Sequence, residues 1–304
     1  LFSARSEIDT ARRKRRPIFA LLKKEIQIAQ PALIGAAGLL ILHLCVLVLR
    51  AFHQFPKDSA GEILTSIVWL LWLLLPVIIG NLALAEERRL GIMESQLCLP
   101  ASRRRQFSIK ACMTLLLGTV LGGVTPTLLE AIGAAIGAQN PVFISDKNPI
   151  GYTLFLFLLY TSVFSAWITL LGFFASSLAK NFLQSVGYAI ATFVILTLFV
   201  PAFAHGRMLF FDTLPAYSIL PLIIAVPTII VTLLWLAYLN YKNFRDGWHL
   251  WRRNCLGLAG AIIFIAVSSS AIYNRAWETF EPVEPAHGAA KLSLANPPIF
   301  ENVA

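Results

Sequence analysis

Seven long apolar runs constrain the fold of this chain more than any other feature of its sequence. They cover residues 31–49, 64–84, 109–137, 151–178, 184–204, 217–239 and 255–272. A helix needs roughly 20 apolar residues to cross the ~30 Å hydrocarbon core of a bilayer, and each run is about that long or longer. The sequence therefore predicts an all-α fold, a polytopic membrane helix bundle with six core spans and a seventh C-terminal span.

The composition excludes an ordinary soluble domain. Of the 304 residues, 57% are hydrophobic and only 13% are charged, whereas soluble domains average about 25% charged residues. The net charge of +9 could indicate a nucleic-acid partner, but the basic residues cluster at the ends of the apolar runs. That placement is typical of membrane orientation. We expect the lipid bilayer as a partner and no nucleic acid.

The distribution of Lys and Arg predicts which loops face the cytoplasm. Of the 25 Lys and Arg residues, 19 fall in residues 1–30, 85–110, 179–184 and 240–254. These segments alternate with poorly charged ones, as the positive-inside rule requires. We therefore expect a multi-pass protein of the cell (inner) membrane with a cytoplasmic N-terminus.

The same alternation predicts on which side of the membrane the two ends of the chain lie. Residues 1–16 form a basic cytoplasmic tail, and residues 241–254 form a cytoplasmic interfacial linker before the additional span at 255–272. The polar tail at 273–304 is then extracytoplasmic. If the seventh segment does not cross, this tail is cytoplasmic instead.

Two local patterns predict irregular or interfacial helices. Residues 17–30 have the spacing of an amphipathic helix that lies at the membrane surface. In the long third run, Pro126 follows a group of glycines, which predicts a kink at that point.

A charged block at residues 85–110 separates the second and third runs. Glu86, Leu90, Met93 and Leu97 share one face at helical spacing, which predicts a short helix over 86–99. Pro100 would end this helix, and Ser102 can cap the next span. Two interpretations remain open: a solvated loop that fixes orientation and touches anionic lipid, or a docking surface for a partner.

The order of residues in this block resembles a known signature. Residues 86–94, with the sequence EERRLGIME, are followed by LCLPASRRRQ at residues 97–106 and by Lys110. This arrangement is similar to the segment between the second and third spans of type-2 ABC transporter permeases, except that Ile92 stands where threonine is common. Residues 17–30, with the pair Lys24–Glu25, resemble the connecting helix of that family, and the six-span core corresponds to residues 17–240.

The resemblance implies the membrane subunit of an ABC exporter that pairs as a homodimer or with a second permease subunit. Its first cytoplasmic loop would dock a separate ATP-binding subunit, with the helix at 86–99 as the coupling helix. The docking residues that the resemblance implies are Glu86, Glu87, Arg88, Arg89, Gly91, Glu94, Pro100, Ser102 and Arg103. ATP would be bound by the partner, because the sequence contains no P-loop motif. This chain would be a non-catalytic transport subunit without catalytic, cofactor-binding or metal-binding residues of its own.

Two other functions remain open from the residues themselves. The chain could be a membrane scaffold or sensor that transports nothing, or an intramembrane enzyme. The second alternative needs polar groups that converge within the bilayer, and Glu130 is the acid that the third run offers. Glu130 lies 20 residues after Lys110, about 30 Å along a helix, so we favour an interface carboxylate over an intramembrane acid.

Overall fold

The computed structural model describes residues 17–52, 59–91, 102–138, 150–208, 215–243 and 248–280. The regular structure in these ranges is helical. The elements in chain order are α1 (Pro17–Ile28), α2 (Gln30–Ala51), α3 (Ser59–Arg89), α4 (Arg103–Thr119), a π-helical segment (Val120–Val124), α5 (Thr125–Ala135), α6 (Ile150–Leu178), α7 (Phe182–Met208), α8 (Pro215–Lys242) and α9 (Trp248–Phe280).

The predicted polytopic helix bundle is confirmed. Each of the seven apolar runs lies on its own helix or helix pair, and six of these elements are long and apolar enough to cross a membrane. The remaining one, α7, has a shorter apolar stretch at Phe182–Leu198.

The last helix differs from the prediction in its length. α9 has 33 residues and begins at Trp248, so residues 248–254 belong to it and not to a separate interfacial linker. The seventh run, 255–272, is the shortest of the seven, but the helix that contains it is long and apolar enough to cross. Residues 273–280, predicted as the start of the polar tail, also belong to α9. The predicted tail at 1–16 and residues 281–304 lie outside the described residues.

The third span contains the predicted irregularity. Between α4 and α5 the chain forms one π-helical turn directly before Thr125 and Pro126. Proline has no N–H and its ring clashes with the carbonyl four residues earlier, so a wider turn relieves the clash. The Thr127 hydroxyl donates to the carbonyl oxygen of Gly123 at 2.8 Å, which satisfies one of the carbonyls of this turn.

Small residues allow the backbones of α3 and α6 to approach each other closely where the two helices cross. A Cβ atom added to Gly80 would lie 2.5 Å from the carbonyl oxygen of Thr169 and 3.1 Å from the Cα of Gly172. In a bilayer, where lipid removes the hydrophobic drive between helices, such close approach supplies the packing energy. Beside this crossing, Trp72 and Leu75 of α3 pack with Leu47 of α2 in the buried core.

The chain divides into two compact units. The first comprises residues 1–197 and 230–257, and the second comprises residues 198–229 and 258–304. All side-chain contacts of the candidate sites described below lie within the first unit. In the second unit, Ala225, Ile229, Ile265 and Ser269 are buried.

Candidate functional site

The charged block begins as the last turn of a span and not as a separate helix. Residues 86–89 continue α3, and the chain then turns at Leu90 and Gly91, where Gly91 has a φ of 65°. This left-handed conformation ends a helix and favours glycine. Residues 86–89 are helical as predicted, but a single helix over 86–99 is wrong, because the helix ends before Leu90 and Gly91. Residues 92–101, with the predicted docking residues Glu94 and Pro100, lie outside the described residues.

Four charged side chains meet where α1, α3 and α4 come together, and we call them the charge node: Lys24, Glu25, Glu87 and Lys110. The Lys110 Nζ lies 2.8 Å from Glu25 Oε2 and 2.8 Å from Glu87 Oε1. The Lys24 Nζ lies 2.6 Å from the same Glu87 oxygen. Lys110 also donates to the carbonyl oxygen of Ala83 at 3.2 Å. One lysine thus joins three helices.

The charge node is electrically balanced and largely buried. Glu25, Glu87 and Lys110 are buried, and Lys24 is partly exposed. Two ammonium groups face two carboxylates, so the node carries no net charge, and pairing offsets the cost of removing these ions from water. Within the described residues, Glu87 Oε2 accepts no hydrogen bond. The predicted docking residue Glu87 is therefore an internal link and does not reach the surface.

Two arginines assigned to docking bind backbone carbonyls at the ends of other helices, Arg88 from a partly buried position and Arg103 from an exposed one. The Arg88 Nη1 donates to the carbonyl oxygen of Ala179, directly after α6, at 3.3 Å. The Arg103 Nη1 donates to the carbonyl oxygen of Lys242, the last residue of α8, at 2.8 Å. Cations at helix C-termini satisfy carbonyls without helical partners and favour the helix dipole. These contacts fix the ends of α3 and α4 to the ends of α6 and α8.

The remaining predicted docking residues that the structure describes are more accessible. Arg89 forms an ion pair with Glu86 at 2.8 Å, and 62% of its side chain is exposed. Gly91 is exposed, and Ser102 stands exposed at the N-cap of α4 without a side-chain cap bond. Among the described residues of this block, Arg89, Leu90, Gly91, Ser102 and Arg103 are exposed, and Glu86 is partly exposed.

A second polar cluster, the Glu130 cluster, lies at the opposite ends of α2, α3 and the third span. Arg50 Nη1 lies 3.1 Å from Glu130 Oε2, and His43 Nε2 lies 3.4 Å from Glu130 Oε1. The Arg50 guanidinium also donates to the Thr65 hydroxyl, and Trp72 Nε1 donates to His43 Nδ1 at 3.0 Å. Glu130 is 2% exposed, so the interpretation as an exposed interface carboxylate is not supported.

The contacts of His43 determine its tautomer. An indole N–H can only donate, so His43 Nδ1 must accept from Trp72 and the ring proton lies on Nε2, facing Glu130. The sequence offered a signal for this cluster that the prediction did not use. His43 and Arg50 are seven residues apart, on one helix face, and polar groups inside spans face protein partners by default.

Other chemistry-bearing residues do not converge in the part of the chain that is described. Cys45, Cys112 and Cys255 are exposed free thiols. Among residues 17–52, 59–91, 102–138, 150–208, 215–243 and 248–280, no group of three His, Cys, Asp or Glu residues is placed to hold a metal ion. Comparisons of the chain with protein-family models, curated proteins and solved structures found no match.

Proposed function

We propose that this chain is the membrane-spanning subunit of an ABC transporter, an exporter that works as a pair of such subunits. The energy would come from separate ATP-binding subunits docked on the loop after α3. The chain would lie in the cell membrane with its N-terminus in the cytoplasm. It would form the translocation path and carry out no catalysis.

The charge node is the observation that carries this proposal. Lys24 and Glu25 come from the segment that resembles the connecting helix, Glu87 from the start of the signature, and Lys110 from its end. Glu25 and Lys110 are 85 positions apart in the chain. A loop that only sets orientation needs cations at its surface and has no requirement for a buried, balanced link between three helices.

The same contacts provide a mechanical route from the loop to the spans. A partner that moves the turn at Leu90 and Gly91 moves the end of α3 directly. Glu87 then transmits the displacement through Lys110 to α4 and through Lys24 to α1. Arg88 links the same turn to the end of α6. Alternating access driven by ATP binding requires such rigid connections, because displacement at the dock must reach helices that line the path.

A copurification experiment tests this proposal. We expect the chain, expressed in its native host and solubilised in mild detergent, to retain an ATP-hydrolysing subunit. Leu90 is exposed and lies on the turn after α3, so Leu90→Glu places a charge in the proposed interface. This variant should lose the ATPase subunit and the associated hydrolysis at least tenfold.

Leu183→Glu is the matched control. Leu183 is also an exposed leucine, but it lies in the first turn of α7, where an acid is favoured by the helix dipole. This control should retain the ATPase subunit. A wild-type chain that purifies from its host without any ATP-binding protein would contradict the proposal, as would equal retention of the subunit by both variants.

A further inference from the structure

The first turns of α9 carry an exposed face that the proposed transport function does not use. Trp248 is 73% exposed, Leu256 is 68% exposed, and Arg252 between them is exposed as well. Residues four apart in a helix share a face, so these three form one stripe. The opposite face, with Leu250 and Asn254, is buried in the bundle. Along about 12 Å of helix, the stripe changes from aromatic to cationic to aliphatic.

Contacts join the start of α9 to the end of α8, and the end of α8 to the start of α4. Asn240 of α8 and Asn254 of α9 exchange side-chain hydrogen bonds of 3.1 and 3.0 Å. On its other side, α8 meets the start of α4, where the Tyr241 hydroxyl donates to Gln106 Oε1 at 3.0 Å. The end of α8 therefore lies between the first turns of α4 and α9.

The outward surface of these three helix ends is positively charged. Besides Arg103, which donates to the carbonyl oxygen of Lys242, its exposed cations are Arg104, Arg105, Lys242 and Arg252. In the described part of the chain, none of the four has a carboxylate within 4.0 Å, since the ion pairs there involve other residues. Glu25 and Glu87, which Lys110 of α4 contacts, are buried and paired with lysines. Among the described residues, no carboxylate therefore compensates these four cations.

We propose that this surface, formed by the starts of α4 and α9 and the end of α8, binds the headgroups of anionic phospholipids. Arg252 meets the headgroup phosphate, Trp248 lies at the headgroup level, and Leu256 contacts the acyl chain one turn deeper. Tryptophan is favoured at the membrane interface, and each Lys or Arg near an anionic bilayer contributes roughly fivefold in affinity. An acidic protein partner would use the cations, but not a stripe that continues into the apolar part of a span.

Tryptophan quenching by brominated lipids tests this inference with the full chain in detergent micelles. Brominated acyl chains quench an indole that they touch. We expect brominated phosphatidylglycerol to quench at several-fold lower concentration than brominated phosphatidylcholine. The bromines lie in the acyl chains, so Leu256→Trp, one turn deeper than Arg252, should add a large quenched signal. Arg252→Gln should raise the phosphatidylglycerol concentration for half-maximal quenching about fivefold and leave the phosphatidylcholine curve unchanged.

Lys23→Gln is the matched control, since Lys23 is an exposed cation of α1 outside the proposed surface. It should change the half-maximal concentration less than twofold, and circular dichroism should show that both variants remain helical. Equal effects of Arg252→Gln and Lys23→Gln on the half-maximal phosphatidylglycerol concentration would overturn the inference, because they would indicate diffuse electrostatic attraction. Equal affinity for the two brominated lipids would also overturn it. Full displacement of brominated phosphatidylglycerol by soluble glycerophosphoglycerol at matched phosphate concentration would overturn it as well, because it would indicate a site for free phosphate.

Discussion

Lys110 neutralises two carboxylates from two other helices, so its charge matters more than its size. Lys110→Met retains most of the volume but leaves Glu25 without a cation and Glu87 with Lys24 alone. Removing one partner of a buried ion pair costs about 3–5 kcal/mol. We expect a loss of that size in the free energy of unfolding, measured by equilibrium unfolding in mixed detergent micelles.

A double variant separates charge from packing at the charge node. Lys110→Met with Glu25→Gln leaves the neutral pair Lys24–Glu87, so it should recover more than half of the stability lost in Lys110→Met. An equal loss in the single and double variants would mean that the methionine packs poorly and that charge is not the cause.

Glu130 provides a second residue-scale test, because the sequence favoured an interface carboxylate and the structure buries it beside Arg50. Glu130→Gln keeps the shape but leaves the guanidinium, which is largely buried, without its counterion. We expect a loss of about 3 kcal/mol in the free energy of unfolding. A loss below about 0.5 kcal/mol is typical of surface positions and would restore the interface interpretation.

Among the helices, the crossing of α3 and α6 depends on the absence of a side chain. Gly80→Ala would bring a methyl group to 2.5 Å from the carbonyl oxygen of Thr169, and backbone cannot move aside as a flexible side chain can. Overpacking of this kind costs about 1–3 kcal/mol, and we expect Gly80→Ala to lower the free energy of unfolding by at least 2 kcal/mol on that scale.

Gly38→Ala is the corresponding control, because a Cβ at Gly38 meets nothing within 4 Å. The same substitution there should be neutral or should stabilise the helix by about 0.5–1 kcal/mol, since alanine loses less conformational entropy than glycine. If the two variants unfold at the same denaturant concentration, the close crossing is not a source of stability.

At the scale of the whole molecule, the prediction that can be tested is the membrane orientation. After Cys45, Cys98, Cys112 and Cys255 are replaced by alanine, single cysteines can be introduced as Lys23→Cys and Phe52→Cys, at exposed positions near the two ends of the first span. A membrane-impermeant maleimide applied to intact cells should label the cysteine at position 52 and should label the one at position 23 only after permeabilisation. Labelling of position 23 alone would indicate the inverted orientation.

The sequence by itself determined the number and placement of the apolar helices, the irregular turn near Pro126 and the charge bias of the loops. These are local properties. A bilayer of fixed thickness requires a fixed length of apolar chain, and a proline disturbs its own helix in any tertiary context. The sequence also singled out Glu87, Arg88 and Arg103, but it assigned all three to docking a partner and did not predict their contacts with other helices.

The tertiary structure decided which charges meet and where α3 ends. Lys110 pairs with Glu25 and Glu87, and Glu130 pairs with Arg50, across sequence separations that no local pattern encodes. Which charges meet depends on which helices adjoin, and that depends on contacts such as Gly80 against Thr169. The charged block, which the sequence presents as one docking element, is therefore divided. Glu87 and Arg88 bind inside the bundle, Arg103 binds the end of α8 from an exposed position, and the turn at Leu90 and Gly91 is available to a partner.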